Sequence, residues 1–137
     1  MQLIHYRFCV GLMLMLWQLP SAQAHHSFAV YDNTRSLTLK GVVTKWQWSN
    51  PHAYLELDVP EDSGAMKHYV LEGTSINIMI RGGWRSNMIK VGDQVTAVAA
   101  PAHNDGPVGL LLEVTLSNGQ QVQMPIPAGY TFKRTPQ

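Results

Sequence analysis

The chain has 137 residues, 45% of them apolar and 14% charged, with ten Lys and Arg against nine Asp and Glu. That length suits one domain with a modest core, and the near-zero net charge excludes a basic stripe of the kind that tracks a phosphate backbone. A single cysteine, Cys9, excludes an internal disulfide, so stability must come from packing.

The first element reads as an export signal. Arg7 leads into an apolar stretch from Phe8 to Leu16, Pro20-Ser21 breaks it, and Ala22-Gln23-Ala24 supplies the small residues of a cleavage site. The stretch falls short of the ~20 residues a membrane-spanning helix needs. Removal of residues 1–24 takes Cys9 and Arg7 with it and leaves nine Lys and Arg against nine Asp and Glu. The mature chain is expected to begin at His25, as a soluble protein with an N-terminal segment over 25–36, a barrel domain over 37–125 and a loosely held Pro-rich tail over 126–137.

Within the domain, Leu37 to Trp48 reads as a long first strand in which a bulge at Gly41 switches the inward face. Asn50-Pro51 marks a turn, and Ala53, Leu55, Leu57 and Val59 alternate with Tyr54, Glu56 and Asp58 as a half-buried second strand. Pro60 to Gly64 is a loop, and His68 to Glu72 a third strand closed by Gly73. From Thr74 the period changes. Thr74 or Ser75 caps a short helix carrying Ile76, Ile78, Met79 and Ile80, which Gly82-Gly83 ends. Gln94 to Ala100 is a fourth strand, followed by a polar loop. In the fifth, Leu110, Leu112, Val114 and Leu116 alternate with Leu111, Glu113 and Thr115. Asn118-Gly119 signals a type I′ hairpin turn into a return strand with Val122 and Met124.

Three strands, a short helix and two more strands is the order of an OB-fold. An SH3-like barrel or a small sandwich gives a similar strand count. The expected fold is all-β: a small five- to six-stranded OB-like Greek-key barrel with one short helix between strands 3 and 4.

His25-His26-Ser27-Phe28-Ala29 at the mature start, Trp48-Ser49-Asn50-Pro51-His52 after the first strand, and Gly83-Trp84 and Gly92-Asp93 before the fourth resemble an uncharacterised family of small secreted proteins of Gram-negative bacteria, a domain of unknown function. The resemblance covers nearly all of the mature chain. It implies periplasmic export and a barrel-like β fold, and it carries no established activity.

The chemistry therefore rests on the five histidines left after cleavage: His25, His26, His52, His68 and His103. An N-terminal histidine offers a metal its α-amine, with a reference pKa of about 7.7–8.0, as well as its imidazole. Copper(II) accepts a tetragonal set of nitrogens that includes a terminal amine. His25, with His52 brought in from the turn, is the expected copper pair, in the manner of a histidine brace. His26 is a further candidate, although adjacent residues of an extended segment point to opposite sides. Cleavage after Ala22 instead would place His25 third from a free amine, a start that also wraps square-planar copper. On the other side, His52 beside Asn-Pro is equally suited to hydrogen-bonding the turn. His68 and His103 read as ordinary strand and loop residues.

Trp46, Trp48, Tyr54 and Trp84 offer a second class of function, an open barrel face that stacks on sugar rings or bases, in a module whose partner is an unknown small ligand or envelope protein. Trp46 and Trp84 read as core. Trp48, Tyr54 and Asn50, close to His52 in sequence, are the ligand-binding candidates. No nucleic-acid partner is expected. The chain carries no H-E-x-x-H, phosphate loop or thiol nucleophile, so no catalytic residue is assigned, and binding, transfer or sensing is expected before turnover.

Overall fold

The computed structural model describes residues 28–133. The expected signal segment, its cleavage site, His25 and His26 lie outside the described residues. After a short 3₁₀ turn at Phe28–Val30 the elements are β1 (Leu37–Gln47), β2 (Tyr54–Pro60), β3 (Met66–Glu72), the helix α1 (Ile76–Arg81), β4 (Gln94–Pro101), β5 (Val108–Thr115) and β6 (Gln121–Gln123). β1 pairs antiparallel with both β2 and β4, β2 with β3, and β4 with β5. A short parallel pairing of Val70–Glu72 with Val108–Leu110 joins β3 to β5 and closes the ring. The cyclic order β1-β2-β3-β5-β4, with a helix between β3 and β4, is that of an OB-fold. β6 hangs on the outer edge of β5.

Alternation supplies the barrel interior. On β1, Leu39 and Val43 are buried while Thr38 and Lys40 face solvent; on β2, Leu55 and Leu57 are buried between half-exposed Tyr54, Glu56 and Asp58. These join Leu71, Val95, Ala97, Ala99, Leu111 and Val114 in one core, and Met79 of α1, Trp84 and Ile89 complete it. Small residues on β4 leave room for the larger side chains opposite, as a narrow barrel requires.

Two bulges bend the strands. The first lies between Val43 and Lys45, where Val43 pairs with Leu57 but Lys45 pairs with Glu56. Thr44 is the extra residue, so the inward face passes from Leu39 and Val43 to Trp46. The switch expected at Gly41 therefore occurs three residues later. Gly41 stays in register with Val95 and serves a different need, close approach: a Cβ there would stand 2.6 Å from the Asp58 carbonyl oxygen. The second bulge lies on β5, where Val98 faces Glu113 and Ala99 faces Leu111. Leu112 is the extra residue. Leu111 and Val114 consequently both point inward, whereas Leu110 and Leu112 point outward, against the simple alternation expected for this strand.

The outward leucines do not meet water. With Tyr31, Val98 and Ala100 they form a second buried cluster, covered by Phe28, Ala102, Ile126 and Phe132. The chain segments before β1 and after β6 thus lie together over the β4–β5 outer face. The Phe28 ring sits 5.0 Å from Tyr130 and 6.5 Å from Phe132, edge to face, and the Lys133 amide donates to the Asn33 carbonyl at 2.9 Å. Residues 126–133, read from the sequence as loose, are in these contacts because Ile126, Tyr130 and Phe132 have apolar surface to cover. At the β5–β6 hairpin only Gly119 has a positive φ, 83°, and the Gly119 amide donates to Leu116. The turn is thus of the type I family with glycine in the left-handed position, and not the type I′ turn expected from Asn-Gly.

Gly41→Ala is expected to lower stability by roughly 1–3 kcal/mol, since the nearest atom the methyl group meets is a backbone oxygen, which cannot swing aside as the Val59 side chain beside it could. A urea unfolding curve with the midpoint unchanged would show that β1 and β2 are not held at this separation.

Candidate functional site

The loop between β1 and β2, residues 48–53, carries His52 and contains the cis Asn50–Pro51 bond. Its last residue is tied to the chain just after β3: the Ala53 amide donates to the Thr74 carbonyl, and the Gly73 amide donates to the Ala53 carbonyl at 2.8 Å. This brings His52 beside Glu72, the last residue of β3, and the His52 Nδ1 hydrogen-bonds the Glu72 Oε1. The same carboxylate accepts the Tyr31 hydroxyl through Oε2 at 2.6 Å. Tyr31 is held there from the other side by its bridge to Ala102 and by the Asp32 amide, which donates to the Pro101 carbonyl at 2.8 Å. Tyr54 pairs with Glu72 across β2 and β3. Three parts of the chain far apart in sequence thus converge on one carboxylate.

The environment sets the protonation of the group. Burial above all, and then the hydrogen bond to Glu72, push the Tyr31 phenol far above its ordinary value, so it remains a donor. Burial and the Glu72 charge also raise Tyr54. In the tautomer where the Nδ1 hydrogen is given to a carboxylate oxygen, the His52 ring keeps its lone pair at Nε2. Nε2 has no partner among the described residues. The ring is 27% exposed and the Glu72 side chain 13%, which leaves Nε2 within reach of a ligand while its orienting partner is shielded.

The remaining sequence candidates fall elsewhere. Asn50 is taken up at the start of α1, where its Oδ1 accepts from the Ile76 amide at 3.4 Å. Trp48 is half-buried and packs on Trp46 at 5.6 Å, which in turn packs on the fully buried Trp84 at 6.0 Å. The Trp84 indole donates to Gln123 at 2.8 Å. His103 is exposed on the β4–β5 loop, its amide donating to the Val30 carbonyl. His68 stands on the outer face of β3 between two carboxylates, with Nδ1 2.8 Å from Asp58 and Nε2 3.2 Å from Glu56, which also pairs with Lys45 at 3.0 Å. Each ring nitrogen faces a different carboxylate, so this is an ion-pair ladder and not a chelate. Among the described residues no three His, Cys, Asp or Glu side chains gather around one point. A concavity of about 480 Å³, lined by Lys40, Gln94, Thr96, Thr115 and Ser117 among others, lies toward the opposite end of β1 from His52.

Tyr31 and Glu72 were not among the sequence candidates. The only local sign of Glu72 is a carboxylate that follows the apolar run Tyr69-Val70-Leu71, and nothing in the spacing of positions 31, 52 and 72 relates them before the barrel closes.

Residues 15–111 match the family described as "Family of unknown function (DUF6152)". No curated protein matches the chain. Among solved structures, the mitochondrial single-stranded DNA-binding protein Rim1 of S. cerevisiae is similar, with 12% identity and a TM-score of 0.46 over 61% of this chain and 93% of that one.

Asp58, and then Glu56, raise the His68 imidazole above its ordinary value. A raised value stabilises the folded state below the unfolded-state value of about 6.5, and that contribution is lost as pH rises through the folded value. His68 is 48% exposed, so solvent screening holds the effect below about 1 kcal/mol. His68→Ala is expected to flatten the fall in unfolding midpoint above pH 6.5. A variant whose pH profile is superimposable on that of the parent would mean that the ladder contributes nothing in solution.

Proposed function

We propose, for a chain that belongs to the DUF6152 family of unknown function, that it is a periplasmic small β-barrel that binds copper, with His52 and the mature N-terminal His25 as its ligands and His26 as a possible third. The observation that carries this reading is the His52–Glu72 pair. A metal-bound histidine typically gives its other ring hydrogen to a carboxylate, which fixes the tautomer and strengthens the ligand. His52 already has its Nδ1 on such a carboxylate.

Chain length allows the second ligand. Tyr31 and His52 touch the same carboxylate, and Phe28 is three residues from His25, a span of up to about 10 Å. The α-amine and imidazole of a processed His25 would add two nitrogens to His52 Nε2, a set suited to Cu(II) in a tetragonal field. Cu(I) selects soft sulfur ligands; of the methionines near the core, Met79 and Met124 are buried.

The position in the fold agrees with this. OB-folds take ligands on the face of strands 2 and 3 and at the loops between strands 1 and 2 and strands 4 and 5. Here the first of those loops holds His52, and the second holds the N-terminal segment through Ala102 and His103. The outer face of β2 and β3 presents Glu56, Asp58 and Glu72, which favours a cation and disfavours a phosphate backbone. No helix among the described residues is long and apolar enough to cross a membrane. A second reading, a module for an envelope ligand or protein with structural histidines, draws on the concavity beside Lys40 and Thr115.

Protein processed in a periplasm, with its N-terminus fixed by intact mass, is expected to bind one Cu(II) with nitrogen hyperfine structure in its paramagnetic resonance spectrum. One extra residue before His25 is expected to abolish tight binding, and His52→Ala to weaken it by at least tenfold. Weak binding at many sites, unchanged by either alteration, would remove the copper reading and favour the second.

A further inference from the structure

Glu72 makes two contacts that answer to different halves of the proposed site. Oε1 takes the His52 ring, and Oε2 takes the Tyr31 hydroxyl. Tyr31 belongs to the segment that leads back toward the chain's start, and it is 5% exposed. We propose that Glu72 and Tyr31 are positioning residues that act as one device: the shared carboxylate couples the orientation of the His52 ring to the docking of the N-terminal segment on the barrel. The inference rests on the copper reading only for its consequence in metal affinity; the coupling itself is a property of the metal-free protein.

Three observations support a device over a chance contact. First, the carboxylate cannot be replaced by water at little cost, because the Glu72 side chain is 13% exposed and the Tyr31 phenol lies in the second core cluster with Leu110 and Leu112. A buried hydroxyl that loses its acceptor carries the full desolvation penalty of that group. Second, the backbone repeats the connection. The Tyr31–Ala102 bridge and the Asp32 amide bond to Pro101 fix the segment to the end of β4, and Arg35 reaches from Asp32 at 2.7 Å to Asp105 at 2.6 Å on the β4–β5 loop. The segment is therefore seated in register, and the Tyr31 hydroxyl is delivered to one place. Third, Glu72 sits at the end of β3 where it pairs with Leu110 of β5, so the acceptor is mounted on the closure of the barrel and not on a mobile loop.

The two contacts share one group, and removal of either alters the other. Without Tyr31 the carboxylate gains freedom to turn, and the His52 ring loses its fixed orientation. Without Glu72 the Tyr31 hydroxyl is left buried without its acceptor and the N-terminal segment is pushed outward. A metal that needs ligands from both sides would sense both events.

The test uses isotope-labelled processed protein in three forms: parent, Tyr31→Phe and Glu72→Gln. In the metal-free parent, long-range proton–nitrogen spectra are expected to show His52 as the Nδ1–H tautomer, and backbone relaxation to show residues 28–33 as rigid as β4. Tyr31→Phe retains the ring and its packing. It is expected to raise mobility in 28–33 and to mix the His52 tautomers, although residue 31 touches His52 only through Glu72. Glu72→Gln is expected to shift both readouts further. An unchanged His52 tautomer in folded Tyr31→Phe overturns the coupling, whatever the metal does. In the Cu(II) titration, Glu72→Gln is expected to weaken binding 10–100-fold, the usual cost of losing an outer-shell partner, and Tyr31→Phe by less. Parent protein that shows the coupling but no tight copper site overturns the copper reading alone. Copper affinity equal in all three forms overturns the role of these two residues as positioning groups.

Discussion

The parallel pairing of Val70–Glu72 with Val108–Leu110 is the contact on which the rest of the molecule depends. Only three residues on each strand take part, yet this pairing turns an open sheet into a ring. Gly109 lies at its centre, where a Cβ would stand 2.9 Å from the Ala100 carbonyl oxygen of β4 and 3.3 Å from the Leu71 side chain of β3, so the glycine lets β5 fit closely between both neighbours. Closure sets the interior, because Leu71 and Leu111 come into one core. It also sets the site. Glu72 is the last residue of the pairing, and its side chain emerges where the β1–β2 loop, the β4–β5 loop and the N-terminal segment meet.

The order of the elements was legible in the sequence because it rests on local signals. Alternation in Ala53–Val59, the Ile-rich period after Ser75, and glycines at 73, 82 and 83 mark strand, helix and stop without long-range information. The inward face was less legible wherever a bulge intervened. Thr44 and Leu112 are ordinary strand residues, and nothing in their chemistry announces that each stands opposite no partner. Gly41 looked like the bulge because glycine is the commonest local mark of one, whereas its use here is to admit Asp58. Among the site residues, His52 could be found since a histidine beside Asn-Pro is conspicuous. Glu72 and Tyr31 could not, because their relation to His52 is created by closure across intervals of 20 and 41 residues.

The tryptophans show how a conspicuous residue is absorbed by packing. Trp46, Trp48 and Trp84 form a tilted row against the core, and the Trp46 indole is already bonded to Ser86 at 3.1 Å and that of Trp84 to Gln123. The outward face of β1–β3 is by contrast polar and cross-linked by Lys45, Glu56, Asp58 and His68. The fold thus divides its work. Aromatic mass stabilises the interior, and the charged outer strands, with the carboxylate at their upper end, shape the electrostatics around His52.

The second cluster has a further meaning. Phe28 and Tyr31 come from before the barrel, Ile126 and Phe132 from after it, and they cover the same leucines. Because the two ends of the described chain rest on each other, they must fray as a single cooperative unit and not independently. A disturbance that lifts Tyr130 or Phe132 removes the apolar neighbours of Phe28 and so loosens the segment that bears Tyr31. The far end of the described chain is in this way a lever on the near end, and a bulky group that displaced Phe132 would act on Tyr31 from the opposite side of the sequence.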